Sequence, residues 1–242
     1  MILSLTQDNK RYLYPYKVKI KESSLFIYSS NRSLLEAKSY LSAARKQIEA
    51  YAGSRPEFSE NFKPLKLDPL APAIIKAMLK AAEAAKVGPM AAVAGAIAEY
   101  VGRKLLKDNP EVIVDNGGDI FLKLERRSAV GILAGKSPLS NKLAIILPRS
   151  KTPWGICTSS GTIGHSFSYG KSDATVIVAK NCALADAWAT SAANMVKKAS
   201  DIDKVIRLIK KEKRISGAVI IKGKKLAVTG NIEIETMHPR IM

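Results

Sequence analysis

The chain has 242 residues, of which 47% are hydrophobic and 25% are charged, a composition typical of folded globular proteins. No apolar run reaches the roughly 20 residues that a membrane-spanning helix requires, so the composition excludes a helical integral membrane protein. The two cysteines, Cys157 and Cys182, are too few for a four-cysteine zinc site. The first residues turn polar too soon for a secretory signal, and we expect a cytoplasmic protein with reduced thiols.

The net charge of +18 is the most unusual property of the composition. Such a charge attracts nucleic acid, acidic membrane surfaces and phosphorylated small molecules. The basic residues are spread along the chain and are densest at 197–225, without an arginine-rich tail, a helix-turn-helix or an aromatic RNA-binding motif. This distribution favours a solvated basic surface, and nucleic-acid association is retained as an alternative.

The first third of the chain predicts a hairpin followed by helices. Residues 12–30 alternate apolar and polar side chains on either side of a short polar stretch, which indicates two strands. A helix follows, with Ser33 as its predicted cap, Glu36 completing a capping box and Gly53 as its end. Residues 54–69 contain prolines and no clear period, so we expect a loop there.

Two further helices are predicted before the period changes. The first begins near Pro72, and the second begins at Pro89 and continues through "MAAVAGAIAEYVGRKLL". Small residues dominate the second helix, which indicates that another element packs very close to its backbone.

The remainder of the chain alternates between strands and helices. "EVIVDNGGDIFLKL" predicts two strands joined by a tight turn, and "SAVGILAG" and "KLAIILP" predict two more. Short strands and glycine-rich turns precede the helix "NCALADAWATSAANM", a short helix starts near Asp201, and two strands end the chain. No linker or fixed repeat is visible. We expect a single domain over 1–242, of the α+β class, with a largely antiparallel sheet and helices packed on one face.

The first candidate site is the turn "DNGGDI". Gly117 and Gly118 permit a positive φ angle and close approach to a ligand, and Asn116 and Asp119 flank them. Taken alone, the pattern favours a hairpin in which Asn and Asp only stabilise the turn.

The second candidate site is the segment "CTSSGTIGHS". Hydroxyl groups at Thr158, Ser159 and Ser160, followed by Gly161, could hold a phosphate in a turn. His165 titrates near neutrality and could act as a general acid or base, although an ordinary hydrogen-bonded histidine is the simpler interpretation.

The third candidate site is a stripe of polar residues on the alanine-rich helix. Asp186, Thr190 and Asn194 recur every four residues, so they should share one face of the helix. A carboxylate and a hydroxyl one turn apart are oxygen ligands that suit Mg²⁺. The pattern is equally consistent with polar groups that are paired inside the core.

In combination, these segments resemble the ApbE superfamily of Mg²⁺-dependent FAD:protein FMN transferases. The order is a small-residue helix, "NGGDI", a tryptophan followed by "TSSG", and "ADAWAT", and it covers residues 87–196. "VGPMAAVAGAIAE" and "GHSFSYGKSDA" are similar to a short, uncharacterised, cytoplasmic branch of that superfamily.

The resemblance implies a fold, ligands and site residues. The fold would be the ApbE-like α+β fold, which is related to the tunnelling fold. Asp186 and Thr190 would hold Mg²⁺, and two turns would lie against FAD or FMN. Those turns are formed by Asn116, Gly117, Gly118 and Asp119, and by Thr158, Ser159, Ser160 and Gly161.

The chain also departs from the pattern of the transferases. Their His-Ile-Ile-Asp-Pro-x-Thr-Gly segment is missing, and His165 and Asp173 are the candidate substitutes for its catalytic groups. Ala94 stands where the family has a lysine, so a positive charge near phosphate is lost.

Three functions are therefore compatible with the sequence. The chain could bind a flavin or another phosphorylated nucleotide-like ligand with Mg²⁺ and transfer or hydrolyse a phosphate-linked group. It could be an inactive ligand-binding or regulatory protein, or a basic protein associated with nucleic acid. We expect no membrane partner, and association into a homo-oligomer is left open.

Overall fold

The computed structural model of the protein describes residues 2–4, 13–160 and 170–237. The helices in these residues are α1 (Leu34–Ser54), α2 (Glu57–Glu60), α3 (Ala73–Ala85), α4 (Val93–Leu105), α5 (Cys182–Met195) and α6 (Ile202–Ile209). The strands are β1 (Ile2–Ser4), β2 (Tyr14–Ile20), β3 (Ser23–Ser29), β4 (Val112–Asn116), β5 (Asp119–Lys123), β6 (Ser128–Gly131), β7 (Leu143–Leu147), β8 (Trp154–Ser159), β9 (Ala174–Ala179), β10 (Ile215–Lys222), β11 (Lys225–Gly230) and β12 (Glu233–Thr236). Short 3₁₀ turns at Pro89–Ala92 and Ala199–Asp201 precede α4 and α6.

Eight strands form one sheet in the order β11-β10-β9-β8-β5-β4-β3-β2. Every neighbouring pair is antiparallel. Side chains along each strand alternate between the two faces, and in β4, β5 and β9 nearly all of them are buried. Both faces of the central strands are therefore covered, which explains why their sequences read as continuous apolar runs.

The two faces of this sheet are covered by different layers. α1, α4, α5 and α6 contact one face, where Val114, Phe121 and Ile177 belong to the same core cluster as the helices, and α3 packs on α5. A second antiparallel sheet, in the order β1-β6-β7-β12, covers the other face. There Val130 and Ile145 join the cluster of the opposite-facing side chains. The α+β class and the antiparallel sheet with helices on one face are confirmed, and the second sheet is an addition to the prediction.

The start of α1 differs from the sequence prediction. Ser33 occupies the cap position, but its side chain makes no capping hydrogen bond. Its hydroxyl instead accepts a hydrogen bond of 3.4 Å from the side-chain amide of Asn109, a buried residue that also bonds the carbonyl of Leu105. The predicted capping box is therefore wrong, because the Ser33 hydroxyl bonds the side chain of Asn109, which is distant in sequence, instead of a backbone N–H of α1. Gly53 lies inside the last turn of α1, and the helix ends one residue later.

The chain's final segment also differs from the prediction. "KLAVTGNIEIE" is not one strand, because the chain leaves the eight-stranded sheet after β11 and joins the small sheet as β12. Residues 54–69 are mostly irregular, as expected, apart from the single turn of α2. Among the described residues, no helix combines the length and apolarity that crossing a bilayer requires.

Candidate functional site

The polar stripe of α5 faces a cavity of about 350 Å³. Asp186, Thr190 and Asn194 line one wall of it, which confirms that the three side chains share a face of the helix. Asp119, at the start of β5, lines the same cavity. The remaining walls come from the end of α2 and the segment after it, from the 3₁₀ turn and the two residues before it, and from the start of α4: Ser59, Asn61, Phe62, Val87, Gly88, Met90, Ala91, Val93 and Ala94.

Close contact between α4 and α5 holds Asp186 in place. Gly95 lies so near α5 that a Cβ atom added to it would be 2.5 Å from the carbonyl oxygen of Cys182 and 2.8 Å from the Cβ atom of Asp186. The backbone N–H of Gly95 donates a hydrogen bond of 2.9 Å to Oδ2 of Asp186. The predicted small-residue contact therefore joins two helices, and it orients the carboxylate.

The Gly-Gly turn places Asp119 at the cavity. Gly117 and Gly118 have φ angles of 70° and 106°, which glycine adopts without strain, and they join β4 to β5. The side chain of Asp115 accepts a hydrogen bond of 2.8 Å from the N–H of Gly118. Asn116 and Asp119 then form the first cross-strand pair of the hairpin.

Asn116 has a different position from its neighbour Asp119. Its side-chain amide donates a hydrogen bond of 3.1 Å to the carbonyl oxygen of Ala94, so it ties the end of β4 to the start of α4. Ala94 itself lines the cavity at the position where the resemblance expects a lysine. Asn116 and the two turn glycines do not line the cavity.

Burial perturbs both carboxyl groups, and repulsion by Asp186 adds to the shift of Asp119. Burial raises the pKa of Asp186 to about 7, although the N–H groups of Gly95 and Ala94 oppose the shift. Burial, and then the charge of Asp186, hold the pKa of Asp119 well above its usual range. The Cys157 thiol and the Thr158 N–H are hydrogen-bonded to Asp119 and only partly offset this. Two ionised carboxylates would therefore be unstable here without a nearby cation.

The donor atoms of the cavity fit a hard cation. Oδ1 of Asp119 is buried and has no hydrogen-bond partner among the described residues. Asp119, Asp186 and Thr190 offer two carboxylates and a hydroxyl, all oxygen ligands of the kind that Mg²⁺ prefers. Within the described ranges, no cluster of three or more His, Cys, Asp or Glu residues could hold a metal by itself. Water and phosphate oxygens would have to complete the coordination shell.

The predicted hydroxyl turn is partly a strand. Thr158 and Ser159 are the last residues of β8 and pair with Val176 and Thr175 of β9, and Ser160 follows the strand. The prediction of a turn at Thr158 and Ser159 is therefore wrong, because pairing with β9 extends the strand through them. Gly161 and His165 lie outside the described residues.

Asp173 lies just before β9 and contacts a different turn. Its Oδ2 accepts a hydrogen bond of 2.6 Å from the N–H of Gly223, and its Oδ1 is 3.5 Å from Nζ of Lys222. These contacts connect it to the hairpin between β10 and β11. Asp173 is not among the residues named as lining the cavity.

Asn194 lies on the cavity wall, as its spacing of four from Thr190 predicts, although it is not part of the family resemblance. Two apolar residues of the cavity were not predicted. Phe62 lies in the irregular segment after α2, and Met90 lies in the 3₁₀ turn where the sequence predicts the start of a helix, so only the folded chain brings the two to one cavity. Phe62 is largely exposed, and Met90 is partly exposed, so together they present apolar surface beside the acids.

Comparison with known proteins gives related sequences and a shared fold. A family model described as "AbpE bacteria" matches residues 4–226. The UPF0280 protein of Methanococcus aeolicus is 38% identical over 222 residues, which cover 89% of this chain and 90% of that protein. The UPF0280 protein of Methanospirillum hungatei is 38% identical over 218 residues, with 88% and 86% coverage.

Solved structures of ApbE proteins share the fold. The apo form of the flavinyl transferase ApbE from Pseudomonas stutzeri superposes with a TM-score of 0.59 at 10% identity, over 90% of this chain and 94% of that one. The ApbE protein from Thermotoga maritima superposes with a TM-score of 0.55 at 12% identity, over 89% and 96% of the two chains. At this level of identity the similarity concerns the fold alone.

Proposed function

Because the chain belongs to the family described as "AbpE bacteria", we propose that its cavity binds Mg²⁺ together with a flavin or another phosphorylated nucleotide-like ligand. One observation carries this proposal: two buried carboxyl groups, Asp119 and Asp186, converge on one cavity with raised pKa values. A divalent cation would relieve their repulsion, and a phosphorylated ligand would add oxygen ligands.

In this proposal Asp119, Asp186 and Thr190 hold the cation. When bound, the cation would neutralise negative charge on the phosphate oxygens of the ligand. The N–H of Gly95 keeps the Asp186 carboxylate in one orientation through its 2.9 Å hydrogen bond. Phe62 and Met90 offer apolar surface to a ring system, and small residues of the 3₁₀ turn and α4 leave room for it.

The reaction would be transfer or hydrolysis of a phosphate-linked group. Thr158, Ser159, Ser160 and Gly161 remain the candidate second ligand-binding segment. His165 and Asp173 remain the candidates for proton transfer. Asp173 would first have to give up its contacts with Gly223 and Lys222.

A ligand-binding protein without transfer activity is the second candidate. Ala94 favours it, because this alanine lines the cavity and brings no positive charge to a phosphate. Incubation with FAD and Mg²⁺ separates the two functions. Formation of FMN and AMP, detected by chromatography, indicates catalysis, whereas recovery of intact bound FAD indicates binding alone.

Titration calorimetry with FAD, in the presence of Mg²⁺ or of EDTA, tests the proposed site. We expect FAD to bind more tightly with Mg²⁺, and we expect Asp186→Asn and Asp119→Asn to lower the metal affinity by about tenfold or more. Asp203→Asn is the matched control, because it removes an exposed carboxylate on α6 that is paired with Lys225 of β11. Equal FAD affinity with Mg²⁺ and EDTA, or unchanged metal binding in both cavity variants, would contradict the proposal.

A further inference from the structure

A second cavity lies beside α6 and adjoins the candidate site. It has a volume of about 610 Å³, and we call it the α6 groove. Its lining residues come from the end of α5, the segment after it, and α6 with the residue two positions beyond: Asn194, Met195, Lys197, Asp201, Lys204, Val205, Arg207, Leu208 and Lys211. Asn194 lines both this groove and the carboxylate cavity, so the groove lies directly beside the candidate site.

The groove carries an excess of positive charge. Four cations line it against a single carboxylate, that of Asp201. This carboxylate accepts hydrogen bonds of 2.9 Å from the backbone N–H groups of Lys197 and Lys198. Its negative charge is therefore partly engaged by the backbone, and the groove attracts anions.

Three of the cations form a stripe along α6 and the turn that follows. Lys204, Arg207 and Lys211 are separated by three and four residues, the spacing that puts side chains on one helical face. All three are exposed, and none makes an ion pair within 4.0 Å in the part of the chain that the structure describes. Lys225 and Arg214 nearby are paired with Asp203 and Glu212, whereas the three cations of the stripe have no carboxylate within ion-pair distance among the described residues.

Apolar side chains lie between the cations. Met195 is 37% exposed and Leu208 is 39% exposed, and Val205 lies buried beneath them. Exposed methionine and leucine in a recess are typical of surfaces that bind other polypeptides. No Phe, Tyr or Trp lines the groove among the described residues, so it lacks the stacking surface on which single-stranded nucleic acids depend.

We propose that the α6 groove binds an acidic segment of a partner polypeptide that also carries an apolar side chain. Carboxylates of the segment pair with Lys204, Arg207 and Lys211, and its apolar side chain packs on Met195 and Leu208. The groove and the carboxylate cavity share Asn194 as a lining residue, so a segment docked in the groove lies beside the candidate site and can be presented to it. Only this last step, presentation of the segment to the site, depends on the proposed function, because docking itself does not require Asp119 or Asp186.

Fluorescence anisotropy with a labelled peptide of alternating Glu and Leu residues tests the docking. We expect the full chain to bind this peptide and the double variant Arg207→Glu/Lys211→Glu to bind it about tenfold more weakly or worse, because like charges then face each other. Leu208→Asp should weaken binding in the same direction. Thermal melts should show that these exposed substitutions leave the fold intact.

The matched control is Lys38→Glu/Lys46→Glu, which makes the same change in net charge on the exposed surface of α1. The proposal requires this variant to bind like the unmodified protein, and it requires a peptide with Gln in place of Glu to bind much more weakly. An equal loss of affinity in the control variant overturns it, as does equal binding of the Gln peptide. A single-stranded oligonucleotide that binds more tightly than the peptide would also overturn it, in favour of nucleic acid.

The failure of docking and the failure of the proposed function are distinguishable. Asp186→Asn should abolish the metal dependence of FAD binding and leave peptide affinity unchanged, whereas the groove variants should do the reverse. Loss of peptide binding in Asp186→Asn would contradict docking at the α6 groove.

Discussion

At the scale of single residues, the ionisation of Asp186 should control the stability of the metal-free protein. Its pKa is about 7 in the folded chain, compared with an ordinary value of 3.8. Between these values the folded protein binds more protons than the unfolded chain does. The free energy of unfolding therefore falls as the pH rises from about 4 to about 7, and it levels off above that range. The pKa of Asp119 is also raised, so its ionisation lowers the free energy of unfolding in the same direction.

Asp186→Asn should flatten this pH profile. An asparagine cannot ionise, and its side-chain oxygen can still accept the hydrogen bond from Gly95. As the pH rises from 4 to 7, the free energy of unfolding of the variant should increase relative to that of the unmodified chain by on the order of a few kcal/mol. Urea denaturation across this range in EDTA measures the difference. Parallel profiles for the two proteins would show that Asp186 ionises normally in the folded state, and Asp203→Asn should keep the original slope.

Addition of Mg²⁺ should restore, above pH 7, the stability that the metal-free protein loses when its cavity carboxyl groups ionise. A cation that binds only the folded chain stabilises it, and ionised carboxylates bind the cation most strongly. The Mg²⁺-induced rise in melting temperature should therefore be larger at pH 8 than at pH 5. It should be absent in Asp186→Asn, and a rise independent of pH would contradict the assignment of the ligands.

At the scale of elements, the contact between α4 and α5 determines the position of the site. Glu99 on α4 accepts a hydrogen bond of 2.7 Å from the N–H of Cys182 at the start of α5, and Asn181 caps the same helix by accepting one of 2.8 Å from the N–H of Leu184. The Glu99 bond and the Gly95 contact fix α5 relative to α4, and the Asn181 bond stabilises the first turn of α5. The carboxylate of Asp186 is thereby held at the cavity wall.

Gly95→Ala should separate the two helices and destabilise the fold. Its new methyl group would overlap the carbonyl of Cys182, so we expect a cost of about 1–3 kcal/mol and weaker metal binding. Gly53→Ala is the matched control, since nothing lies within 4 Å of a Cβ atom there and alanine favours a helix by about 0.5–1 kcal/mol. Chemical denaturation should show a lower free energy of unfolding for Gly95→Ala and a higher one for Gly53→Ala than for the unmodified chain. Equal stability of the two variants would show that α4 and α5 can adjust at no cost.

At the scale of the whole molecule, the eight-stranded sheet is the middle of three layers. The helices cover one of its faces, and the small sheet covers the other. Cys157 on β8 and Cys182 on α5 lie between the sheet and the helices, where both are fully or almost fully buried. Burial raises the pKa values of both thiols well above the usual range.

Both thiols should therefore report on global unfolding. In the native protein at neutral pH, we expect Cys157 and Cys182 to react with Ellman's reagent no faster than the layers separate. Neither thiol is accessible in the folded protein, and the thiolate is the reactive form. Reaction in denaturant gives the fast reference rate. Rapid labelling of one thiol in the native protein would show that α5 opens locally without global unfolding.

The amount of structure that was predictable from the sequence depends on the range of the interactions involved. Hydrophobic periodicity predicted the helices, the hairpins and the antiparallel sheet, because those patterns depend on neighbours within a few residues. The ordered motifs predicted the ApbE-like family, which the comparisons confirm. The capping box at Ser33 and the turn at Thr158 and Ser159 were wrong, because Asn109 and β9, distant in sequence, provide competing partners.

The sequence by itself determined that Asp186, Thr190 and Asn194 share a helical face, because four residues make about one turn. It also determined the tight turn at Gly117 and Gly118, since positive φ angles favour glycine. Only the tertiary structure decided that Asp119 meets Asp186 in one cavity, and that the α6 groove lies beside this cavity and shares Asn194 with it. These relations join segments many residues apart, and long-range packing, which no local pattern encodes, brings them together.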